Sequence, residues 1–154
     1  MGSIEKLLAP SLVRNEEGGD VQASVAALKE QLAGAAGAIE VLANSHMDDF
    51  KSFEERLREL LWALGRAAVT LFLAYRHARS PAAARVEREG RVFRPAPAQA
   101  RNLNTMFGVV RYWRTYLREV TRKDRHGFHP LDEEPGLTGD RISFNLLVVA
   151  HAWR

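Results

Sequence analysis

Residues 104–137 read NTMFGVVRYWRTYLREVTRKDRHGFHPLDEEPGL. Phe107-Gly108 divides two runs, residues 100–106 and 109–120. The second concentrates Val109, Val110, Tyr112, Trp113, Thr115, Tyr116 and Val120, side chains that fit a pleated, half-buried surface. Periodicity alone leaves the choice open, because Met106, Val109, Trp113, Leu117 and Val120 would also share one helical face. The residue types and the freedom of Gly108 to turn favour strands, so a β-hairpin closing at Phe107-Gly108 is predicted. Residues two apart share a side of a strand, which would set Tyr112, Arg114, Tyr116 and Arg118 along one surface.

Outward from the hairpin, RVEREGRVFR at 85–94 reads as a shorter strand pair turning at Glu89-Gly90, with Pro95 and Pro97 punctuating its end. Residues 121–129 read as a polar loop. Asp140 suits the cap of a final apolar helix at 142–153. Upstream, Val21, Val25, Leu28, Leu32, Ala35, Ile39 and Leu42 recur at helical spacing in an alanine-rich segment. A stronger amphipathic helix follows, with Ser45 or Asp48 as its cap. Its stripe is Phe50, Phe53, Leu57, Leu60, Leu61, Leu64, Ala68, Leu71, Phe72 and Tyr75, and Ser80-Pro81 ends it. The expected architecture is α+β: a flexible tail at 1–20, a helical region at 21–80, and a basic β-hairpin region with a C-terminal helix at 85–154. The helical stripe at 50–75 is broad enough to mediate homo-oligomer assembly.

The chain has 154 residues, enough to bury a real core, and 46% of them are hydrophobic. It has no cysteine, which removes disulfides, thiolate metal sites and cysteine nucleophiles and suits a reducing cytosol. The apolar runs fall short of the roughly 20 residues a membrane span needs, so a cytoplasmic protein without membrane partners is expected. The net charge of +3 conceals an asymmetry: residues 1–60 hold 6 Lys/Arg against 11 Asp/Glu, whereas residues 76–125 hold 13 against 4. Twelve of those thirteen are arginine, the side chain suited to bidentate phosphate contact. Such a block fits DNA or another polyanion, and also fits a solvated surface.

Arg111, Arg114 and Arg118 interleave with Tyr112, Trp113 and Tyr116, which would let guanidinium groups take phosphates while rings stack. The alternative is a sheet whose aromatics are core. Arg122, Lys123 and Arg125 would extend the patch to the backbone of DNA. His126 and His129, with Asp132 and Glu133, contain metal-ligating atom types, but their spacing matches no zinc signature, and neither a metal nor a cofactor is expected. Asp132, Glu133 and Glu134 are consecutive and point different ways, so they cannot build a two-metal phosphoryl-transfer site alone. A salt bridge to the arginine strand or a turn cap suits them better. No nucleophile elbow, phosphate loop or HExxH motif occurs, so no catalytic residue is assigned.

The ordered set Phe50-x-x-Phe53-Glu54-Glu55-Arg56, Thr105-Met106-Phe107-Gly108, Arg114 with Tyr116, and Pro130-Leu131-Asp132-Glu133 with Gly136-Leu137 resembles the N-terminal part of bacterial insertion-sequence transposases of the Kra and Lre types. The resemblance implies a non-catalytic, transposon-end DNA-binding and assembly portion. The RNase H-like core with its Asp-Asp-Glu metal site would begin after the equivalent of Arg154, so a truncated product is expected. Some similar proteins carry cysteines in the loop before the Pro-Leu-Asp-Glu motif; this chain does not. A helical interaction or regulatory module without DNA binding is the competing expectation.

Overall fold

A computed structural model describes residues 20–45, 49–79, 85–120, 127–133, 137 and 142–143. Helix α1 (Val21–Asn44) is capped by Asp20, whose Oδ1 accepts from the Gln22 backbone N–H at 2.8 Å. Its buried positions are Ser24, Ala35 and Ala38. Small side chains thus form its seam with the next helix, while Leu32 from the expected stripe is half exposed. Ser45, expected to open the second helix, instead closes the first: its N–H and hydroxyl both donate to the Leu42 carbonyl. Helix α2 (Phe50–Arg79) is capped by Asp49, which accepts from the Ser52 N–H at 2.8 Å. Asp48 lies outside the described residues. Arg76, His77 and Arg79 occupy the last turn, where the helix dipole favours cations.

Four strands follow as an antiparallel meander: β1 (Val86–Arg88), β2 (Arg91–Thr105), β3 (Gly108–Glu119) and β4 (Gly127–Phe128). The β1–β2 connection is the predicted Glu89-Gly90, with φ of 52° and 71°. Two residues at positive φ are the mark of a tight hairpin turn that matches strand twist. The β2–β3 turn closes with Thr105 opposite Gly108. The Thr105 hydroxyl donates to the Gly108 carbonyl at 2.8 Å and accepts from the Phe107 N–H at 3.2 Å. Gly108 sits at φ 105°, a conformation other residues rarely adopt. The Thr-Met-Phe-Gly sequence is therefore a turn lock.

Pro95 and Pro97 do not end the strand, contrary to expectation. β1 pairs only as far as Phe93, so beyond it β2 has one open edge where a missing N–H interrupts no ladder. A bulge between Ala96 and Gln99 absorbs the second proline and places one extra β2 residue against β3.

The core joins helix to sheet: Leu73 of α2 packs with Leu103, Val110, Tyr112 and Leu131, flanked by Val69 and Leu137. Phe107 at the hairpin tip lies on Gly65 of α2, and the Arg66 guanidinium donates to the Phe107 carbonyl at 2.8 Å. Past β4, a single 3-10 turn (Pro130–Glu133) is the only helical structure among the described residues of the C-terminal region. Ile142 and Ser143, expected to open a final helix, form β-bridges with Asn104 and Leu137 instead. The rest of that helix (144–153) with its expected cap Asp140, the tail before Asp20 and most of the polar loop (121–126) lie outside the described residues. No described helix is long and apolar enough to cross a membrane.

Candidate functional site

β3 changes its buried side along its length. Val110 and Tyr112 are buried near the turn; Thr115, Leu117 and Glu119, of the opposite parity, are buried toward the far end. The exposed sides change with it, so Arg111 and Arg118, both exposed, lie on opposite faces of the strand. α2 and the 3-10 turn cover the even-numbered side near the hairpin tip, which is why Tyr112 is core and not a stacking platform. Burial pushes its phenol above the usual pKa of 10.

Arg114 is also absorbed. Its guanidinium and that of Arg101 both reach Asp132 Oδ2, Arg101 at 3.2 Å. Exposure is only 9% for the Arg101 side chain and 16% for Arg114, against 28% for Asp132. The expected salt bridge from the acidic turn to the arginine strand is present, and it ties the Pro-Leu-Asp-Glu turn onto β2 and β3. Glu133 reaches Arg88 at 2.6 Å on the surface, and Arg88 lies over the Phe128 ring at 5.1 Å.

Tyr116 packs beneath β4. A Cβ at Gly127 would overlap its ring, so that glycine permits the close approach, and His129 lies 4.9 Å from the same ring. His129 Nδ1 donates to the Thr115 carbonyl at 3.1 Å. Burial, and then the Arg114 charge, lower its pKa below the usual 6.5. No group of three or more His, Cys, Asp or Glu able to hold a metal is found among the described residues. Arg122, Lys123, Arg125 and His126 lie outside them.

The residue missed by sequence reasoning is Arg94. Across the sheet, Arg94 on β2 faces Arg118 on β3, and Arg118 faces Gly127 on β4. Directly opposed residues of an antiparallel pair project on one side within about 5 Å of each other at Cβ. Both arginines are exposed, and neither makes an ion pair among the described residues. Glu119 is buried on the other side, and the Tyr116 ring lies where a Gly127 side chain would be. On the opposite face near the hairpin tip, Arg111 faces Asn102 and lies beside half-buried Trp113.

No family model matches this chain, and neither a curated protein nor a solved structure was found similar to it.

Proposed function

We propose that this chain binds the phosphate backbone of DNA through the Arg94–Arg118 row, aided by Arg111 and by Arg122, Lys123 and Arg125, as the non-catalytic end-binding portion of an insertion-sequence transposase. The observation that carries the binding is the like-charge row. Two arginines directly opposed on neighbouring strands repel and weaken the sheet unless an anion lies between them. A phosphate fits that position, and guanidinium groups suit it better than ammonium groups would. The basic segment 122–125 follows Arg118 by only a few residues and can extend the track. Transposase ancestry rests on the ordered motifs. In its support, Thr-Met-Phe-Gly forms the turn lock and Pro-Leu-Asp-Glu the turn that clamps the same two strands, so separate sequence pieces serve one structural unit.

The test is a binding titration of labelled duplex DNA across salt concentrations. Each phosphate contact contributes a slope of about −0.9 in log affinity against log salt. Arg94→Gln with Arg118→Gln should flatten the slope by roughly two units while leaving far-UV circular dichroism unchanged. A double variant with the wild-type slope would overturn the proposal. Arg114 is unsuited to the test, because its replacement alters the clamp.

A further inference from the structure

Helix α2 buries Leu73 against the sheet, and buries Leu60 and Ala74 on another side. A third line remains uncovered: Leu61 is 50% exposed, Phe72 47% and Tyr75 42%, with Ala68 exposed between them. At 100° per residue these four fall within about 60° of one another. Exposed Phe50 lies on the same line, with exposed Glu54 one turn further on and exposed Arg79 at the other end. Arg76 and Arg79 lie over the rings of Phe72 and Tyr75, at 5.0 and 6.0 Å.

The pattern is complementary to itself when reversed. For two α2 helices running in opposite directions about a two-fold axis between Arg66 and Ala67, Leu61 of one copy meets Phe72 of the other. Glu54 meets Arg79, and Ala68 sits beside the axis as the low point of the ridge. Parallel pairing would instead set Glu54 on Glu54 and Arg79 on Arg79. An isologous two-fold contact repeats each match twice, and Glu54 to Arg79 spans about 38 Å of helix. We infer that this ridge is the contact surface for a second copy of the chain, giving an antiparallel α2–α2' homodimer. The inference is independent of DNA binding: it uses none of the sheet arginines, and a dimer that fails to bind DNA leaves it standing.

Sedimentation equilibrium of the full chain over a range of concentrations tests it. The wild type is expected to dimerise, and Phe72→Glu to be monomeric with unchanged far-UV circular dichroism. Glu54→Arg and Arg79→Glu should each weaken dimerisation at least tenfold, and the two together should restore it to within a few-fold of wild type. A monomeric wild type would overturn the inference, whether the ridge is bare or covered by the chain's own apolar segment 145–153. Failure of the double swap to restore association would overturn the antiparallel register.

Discussion

Asp132→Asn is the most demanding test of how the two turns and the arginine strand hold together. The substitution keeps the shape of the side chain and removes the one charge that two guanidinium groups share. Arg101 and Arg114 are 9% and 16% exposed, so neither reaches water freely once the carboxylate has gone. Breaking a buried ion pair from one side costs about 3–5 kcal/mol. Asp132 keeps 28% of its side-chain surface exposed, and solvent screening there lowers the expected loss to about 2–3 kcal/mol. With a urea dependence of about 1.5 kcal/mol per molar, the unfolding midpoint should fall by roughly 1.3–2 M. Urea unfolding followed by far-UV circular dichroism measures this. Two comparisons sharpen it. Glu133→Gln removes a solvent-exposed pair, with 50% and 53% of its side chains exposed, and should leave the midpoint nearly unchanged. Arg114→Gln leaves Arg101 and Asp132 as a balanced pair, so it should cost less than Asp132→Asn although it removes a larger side chain. The clamp is refuted if Asp132→Asn shifts the midpoint no more than Glu133→Gln, or less than Arg114→Gln.

Gly65→Ala would push a methyl group into the Phe107 ring, and overpacking of this kind costs about 1–3 kcal/mol. Thermal unfolding should show the loss, and Phe107→Ala should abolish most of the additional penalty; an additive double variant would count against the contact. His129 has a folded pKa below its unfolded value, so the unfolded chain takes up its proton first. Its contribution to stability is present above pH 6.5 and drains as the pH falls through that value toward the folded pKa. His129→Gln should therefore lose less stability than wild type between pH 7.5 and 5.5; equal losses would show that burial does not perturb this ring.

Much of the local structure was legible because it depends on local chemistry. Strand-favouring residues at 109–120, a glycine able to adopt φ 105° and the Glu89-Gly90 turn are short-range signals, and the two hairpins follow from them. The second helix ends at Arg79, as Ser80-Pro81 suggested. Helix caps were less legible: Ser45, Asp48 and Asp49 all suit a cap chemically, and the choice depends on which backbone N–H each oxygen reaches. The helix seam was obscure for a different reason. Hydrophobicity marks the large side chains, whereas close helix approach selected Ser24, Ala35 and Ala38.

The candidate site divides along the same line. Its ingredients, an excess of arginine interleaved with aromatics and followed by an acidic turn, are properties of composition and order, so the sequence alone determined them. Which arginines remain available is a matter of register and cover. Counting back from Thr105 opposite Gly108 without interruption would set Arg94 against Glu119, an ordinary ion pair. The extra residue in the bulge between Ala96 and Gln99 sets it against Arg118 instead. One residue of slip reverses the electrostatics of that end of the sheet, because strand pairing assigns every side chain its neighbour at once. The packing of α2 and the Pro-Leu-Asp-Glu turn on the other end withdraws Tyr112 and Arg114 into the interior. Only the tertiary structure could decide either outcome, since both depend on contacts between residues far apart in the chain.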